Sequence, residues 1–114
     1  MIMSIVLLTE FFKMSDLTIN EILEYLSENK DFFHKQFNII KIGVFGSFAR
    51  NEQTENSDID ILIDIPKGTN KIFEKRLMFK NMISKHFSKP VDVCHQRAIR
   101  PAFIDLIFKE VIYV

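Results

Sequence analysis

At 114 residues, with 47% hydrophobic residues and only three glycines and three prolines, the chain has the size and composition of one globular domain, which argues against a disordered, fibrous or two-domain chain. Fifteen basic residues balance fifteen acidic ones, so there is no overall basic field of the kind that draws proteins to nucleic acid. A single cysteine, Cys94, excludes an intrachain disulfide and favours a reducing, cytoplasmic setting.

The balance conceals an asymmetry: residues 1–66 carry eleven acids and five bases, whereas residues 67–100 carry nine bases and two acids. The basic stretch reads first as a solvated helix face, with an anionic ligand or an acidic partner as alternatives. At the N-terminus, Met1 to Leu8 is apolar but has no basic leader and no small-residue cleavage site, and Glu10 ends it too early to span a bilayer. Neither secretion nor membrane insertion is expected. Met3 and Met14 are alternative starts, and residues 1–17 read as a peripheral extension ahead of a domain covering 18–114.

From Thr18, Ile19, Ile22, Leu23 and Leu26 recur at helical spacing, and Thr18 with Glu21 makes a capping box. Asn29 and Lys30 interrupt the stripe before Phe32, Phe33 and Phe37, so the helix bends or restarts there. Ile39 to Phe45 is a buried strand that stops at Gly46, and Asn51 to Ser57 is a polar loop. Asp58 to Ile65 alternates strictly, with Ile59, Ile61, Ile63 and Ile65 on one face. Asn70 to Phe87 predicts a helix whose inward stripe is Ile72, Phe73, Leu77, Met78, Met82, Ile83 and Phe87. Val91 to Cys94 is a short strand, and Pro101 opens a last helix with Phe103, Leu106 and Ile107 facing in. The alternation of helices and strands predicts an α/β (α+β) fold, a small mixed sheet with packed helices.

The chemistry concentrates between Gly46 and Asp92. Side chains two apart on a strand share a face about 6.5 to 7 Å apart, so Asp58 and Asp60 project together while Ile59 and Ile61 enter the core. Two carboxylates so close in a partly dry cleft need a proton or a cation between them. Magnesium suits such hard oxygen ligands and completes its shell with phosphate and water. Asp92, between Val91 and Val93, is the natural third acid. Three acids are enough to clamp two metal ions. A helix beginning near Ser47 would aim free backbone N–H groups at phosphate; Gly46 allows close approach, Ser47 adds a hydroxyl, and Arg50 one turn on offers a bidentate fork.

Gly46-Ser47-Phe48-Ala49-Arg50 followed by Ser57-Asp58-Ile59-Asp60-Ile61-Leu62-Ile63 resembles the signature of the DNA polymerase β-type nucleotidyltransferase superfamily, and the short chain is most similar to its minimal nucleotidyltransferase (MNT) family. The likeness covers about residues 18 to 114, including Val91-Asp92-Val93 and the ending Ile107 to Val114. It implies the polymerase β-like fold, with Gly46, Ser47 and Arg50 on the nucleotide phosphates and Asp58, Asp60 and Asp92 as catalytic metal ligands, Asp92 also helping to deprotonate the acceptor. The residue after the arginine is usually glycine in that family and is Asn51 here, the non-glycine type most tolerant of positive φ.

The resemblance further implies Mg²⁺-dependent transfer of AMP from ATP to a protein hydroxyl, in a cytoplasmic antitoxin that silences a HEPN-domain toxin by adenylylating one of its tyrosines. A non-catalytic antitoxin acting by complex formation and a small-molecule adenylyltransferase completed by a homodimer are the alternatives. Nucleic acid is not an expected partner, since there is no second domain to grip a template and no net charge to hold one. Elsewhere, Asp64 reads as a surface residue, Cys94 as a small hydrophobe, and His34, His86 and His95 as solvated or capping. Phe11, Phe12 and Phe32 or Phe33 are candidates for a partner surface.

Overall fold

A computed structural model describes residues 17–114. The expected extension, with Phe11, Phe12 and the alternative start Met14, lies outside the described residues; Leu17, its last member, packs against the core. The order is α1 (Ile19–Glu28), α2 (Lys30–Phe37), β1 (Lys41–Phe45), α3 (Gly46–Ala49), β2 (Ile59–Asp64), α4 (Ile72–Phe87), β3 (Val91–His95), a 3-10 turn (Gln96–Ala98), α5 (Pro101–Glu110) and β4 (Ile112–Tyr113).

The first helix starts where its cap predicts, with Thr18 Oγ1 accepting a hydrogen bond from the Glu21 amide at 3.3 Å. It restarts rather than bends at Asn29, whose side-chain amide donates to the Tyr25 carbonyl at 2.8 Å. Asn38 in the left-handed conformation ends α2 and turns the chain into the sheet.

The sheet has strand order β3-β2-β1-β4. β1 runs antiparallel to both β2 and β4, and β2 runs parallel to β3. Period-two alternation sorts the two faces. Ile42, Val44, Ile59, Ile61, Ile63, Val91 and Val93 meet the helices, and Ile22, Leu26, Phe33, Phe37, Phe79 and Ile83 close that layer. Phe33 is wholly buried, which corrects its candidacy for a partner surface, whereas Phe32 is exposed.

Two inward stripes differ from expectation. On α4, Phe73, Leu77 and Met78 are exposed, and the buried anchors are Phe79 and Ile83. At about 100° per residue, Ile72, Phe79 and Ile83 fall in one line, whereas the other three stand 100° or more away from it. The helix is apolar on more sides than it can bury, so periodicity alone chose too broad a face. On α5, Phe103 and Leu106 are exposed and no residue is fully buried; the partly covered residues are Ile104, Ile107 and Glu110, three apart along one face.

The strand β4 is not foreseen from the sequence. Gly43 makes room for it, since a Cβ there would stand 2.6 Å from a Val111 methyl and 3.2 Å from the Ile112 carbonyl oxygen. Beyond the strand, the Val114 amide donates to the Ile42 carbonyl at 3.0 Å. Gly43→Ala should therefore pry the C-terminal segment off β1 at a cost of about 1–3 kcal/mol. Chemical denaturation and hydrogen exchange check this: the Val114 amide should exchange faster while the amides of β2 keep their order of protection.

Candidate active site

The face of the sheet opposite that apolar layer carries the acids. Asp60 stands opposite Phe45 in the antiparallel pair and opposite Asp92 in the parallel pair. Residues opposite one another on adjacent strands share a face about 4.8 Å apart, so Asp60 and Asp92 point the same way. Asp58 lies two residues before Asp60 at the entrance to β2. The parallel ladder already begins there, with the Ile59 amide bonded to the Pro90 carbonyl at 3.0 Å. Lys89 holds the preceding loop by donating to the carbonyls of Glu55 (2.9 Å) and Ser57 (3.1 Å). The Ser57 hydroxyl accepts from the Thr54 amide at 2.8 Å, which makes it a turn-former.

The short helix α3 brings the Gly-Ser elbow onto the same acids. Gly46 has φ of 74°, and any side chain there would overlap the Asp60 carboxylate. Glycine is thus required twice, for conformation and for space. Phe48 drives the elbow down by burying its ring in the core. Asn51 has φ of 57°, the conformation a family glycine would supply, which lets the Glu52 amide donate back to the Ser47 carbonyl at 2.9 Å and end the helix.

Burial, and then the negative charges of Asp92, Asp58 and Glu110, raise the Asp60 carboxyl to about 6, with Arg50 opposing them. Asp60 is half-buried, while Asp58 and Asp92 are exposed. A carboxylate surrounded by its own kind is what a hard cation relieves, and the donor set of oxygens fits such an ion in kind. Among the described residues, no three acidic, histidine or cysteine side chains already converge into a metal shell. The exposed side chains of Asp58 and Asp92 would have to close on Asp60 to make one.

Glu110 is the residue that sequence reasoning missed. From the end of α5 its Oε1 accepts from the Gly46 amide at 3.0 Å, and its Oε2 accepts from Arg50 Nη1 at 2.7 Å. Arg50 Nε donates to Glu52 at 3.1 Å, so the motif arginine is held by two carboxylates. Its side chain was expected one turn along on phosphate. Glu110 lies in the ending that carries the family likeness, but sixty-four residues separate it from Gly46, and no local spacing announces that contact.

Asp64 also departs from expectation. It is 13% exposed rather than a surface residue, at the far end of β2, beside Arg97 Nε (3.6 Å) and His95 Nε2 (3.9 Å). His95 is buried, and its Nδ1 accepts from the Arg97 amide at 3.3 Å, so the capping alternative holds and the solvated one does not. His34 is exposed, and His86 stacks on Tyr25 at a ring separation of 3.7 Å. Cys94 shares the face of Asp92 and is partly buried.

The Asp60 environment has a consequence for stability. Its folded pKa lies above the unfolded value near 3.8, so the folded state holds the extra proton and loses stability as pH rises from about 4 through about 6. Asp60→Asn removes that penalty. Discounted for solvent screening of a half-exposed group, the variant should be more stable than the parent by about 1–2 kcal/mol at pH 8 without divalent ions, and by much less at pH 4. Urea melts at the two pH values measure the difference.

Comparison with known proteins adds the lineage of this arrangement. Residues 19–114 match the nucleotidyltransferase domain family. The protein adenylyltransferase MntA of Thermococcus cleftensis is 30% identical over 101 residues, covering 89% of this chain and 100% of that protein. The solved structure of a "putative minimal nucleotidyltransferase" superposes with a TM-score of 0.71 at 21% identity, over 86% of this chain and 97% of the other. A chain from the tri-AMPylated Shewanella oneidensis HEPN toxin in complex with MNT antitoxin has a TM-score of 0.52 at 18% identity, covering 83% and 66% respectively. An elbow and acids so placed, within a match that spans nearly every described residue, identify the chain as a nucleotidyltransferase, a member of the nucleotidyltransferase domain family.

Proposed function

We propose that this chain moves AMP from ATP, with Mg²⁺, to a tyrosine hydroxyl of a HEPN toxin and so acts as its antitoxin in the cytoplasm. The observation that carries the reading is the register of Asp60 against Asp92 beneath the Gly46 elbow. Gly46 and Ser47 would hold the phosphates through backbone N–H groups and a hydroxyl, and the Arg50 fork would hold a phosphate oxygen. Mg²⁺ held by Asp58, Asp60 and Asp92, as one ion or two, would supply charge neutralisation on the triphosphate and a more acidic acceptor hydroxyl.

Asp92 takes the acceptor's proton. The hydroxyl oxygen then bonds to the α-phosphorus as the bond from that phosphorus to the bridging oxygen breaks, and the electron pair leaves with pyrophosphate. Asp92 stands exposed on β3, an edge strand, so an acceptor on another protein reaches it without first entering a pocket.

Two further observations support a protein acceptor. Phe73, Leu77 and Met78 on α4 and Phe103 and Leu106 on α5 leave large apolar side chains outside, more than solubility favours. The matched complex joins an MNT antitoxin to an AMPylated HEPN toxin. Among the described residues, no helix is long and apolar enough to cross a membrane.

Incubation with ATP, Mg²⁺ and the product of the neighbouring reading frame, followed by intact mass of both proteins, tests the reading. One or more AMP masses should appear on the neighbour. Asp58→Ala with Asp60→Ala should abolish the gain, a loss of at least about a thousandfold in rate, while leaving the two proteins able to associate. Toxin control that survives the double substitution would favour a binding antitoxin instead.

A further inference from the structure

Glu110 stands on the two donors that the proposed function gives to phosphate. Its carboxylate spans the Gly46 amide and the Arg50 guanidinium with one oxygen on each, at 3.0 and 2.7 Å, and its side chain is only 15% exposed. A phosphate oxygen and a carboxylate oxygen ask the same thing of an N–H group, and both cannot have it at full strength. The carboxylate also adds a negative charge beside the half-buried Asp60. A polyphosphate entering next to it would meet a charge of its own sign.

The element that bears Glu110 is lightly held. α5 buries none of its residues completely, and the segment after it is held at the sheet edge by the pairs Gly43–Tyr113 and Val44–Ile112, by the Val114 amide on the Ile42 carbonyl and by Lys30 Nζ on the Val114 carbonyl. The contacts of Glu110 with the elbow add to these in keeping the end of α5 in place.

We propose that Glu110 is an internal competitor for the nucleotide: it occupies the phosphate donors in the empty protein and leaves them when a nucleoside triphosphate binds, so that affinity is set partly from the C-terminal segment. The inference rests on the reading of Gly46 and Arg50 as phosphate-holding residues. It differs from a positioning role, in which Glu110 would stay on Arg50 and its loss would weaken binding.

Calorimetric titration of the full chain with a non-transferable ATP analogue and Mg²⁺ decides between them, using the parent, Glu110→Gln and Glu110→Asp, each checked for folding by circular dichroism. Removing the competing charge should tighten binding on the order of tenfold in Glu110→Gln, the worth of one charge-assisted hydrogen bond. Glu110→Asp, with its shorter arm, should fall between, and it carries the same decision if the glutamine variant does not fold. In amide NMR spectra, the nucleotide should shift Gly46 and the residues of β4 together in the parent protein. Unchanged or weaker binding in folded variants, with β4 unmoved, would overturn the competition alone. Absence of nucleotide binding in parent and variants alike would overturn the site assignment, and the competition with it.

Discussion

The site depends on how closely a backbone approaches a carboxylate. Gly46 sits so near Asp60 that a single methyl group would not fit, and its positive φ aims the following turn across the acids. The register does the rest: Phe45 opposite Asp60 places the elbow at the end of β1, and Asp60 opposite Asp92 brings the third acid from a strand some thirty residues away. A shift of one residue in either pairing would turn an acid into the core and an isoleucine into the cleft. The long apolar alternation of β2 makes that shift expensive, so the hydrophobic core of one face fixes the chemistry of the other.

Holding acids together costs stability that a cation or a proton returns. Asp60 carries most of this tension, since it is half-buried and its neighbours are exposed. The rest of the fold offsets it with an ordinary core: Phe33, Phe48 and Phe79 are wholly buried, and β2 presents Ile59, Ile61 and Ile63 to the helices. The arrangement separates labour between the two faces, one packed with apolar contacts and the other carrying the acids, of which Asp58 and Asp92 are exposed.

Much of this was legible in the chain itself. The strict alternation of Asp58 to Ile65 announced a two-faced strand, the capping box announced α1, and the Gly-Ser turn followed by paired aspartates announced the elbow that lies against Asp60. The position after Arg50 was readable too, because asparagine is the side chain that best accepts the left-handed conformation found at Asn51. The misreadings share a cause. On α4 and α5 the apolar residues exceed what one face can bury, so the choice of Phe79 over Phe73 depends on packing that periodicity does not encode. Strand β4 is two residues long, and the space for it is created by Gly43, far earlier in the chain. Glu110 was invisible for the same reason: its importance lies wholly in a contact across the fold.

Asp58, Asp60 and Asp92 are proposed to form one divalent-ion site beneath the elbow. Paramagnetic broadening by Mn²⁺ in amide NMR spectra, with a nucleotide analogue present, addresses it most directly. Broadening centred on residues 58–60, 91–93 and 46–47, and lost in the Asp60→Asn variant, is the predicted result. Broadening that spares those amides, or that persists unchanged in the variant, would contradict it.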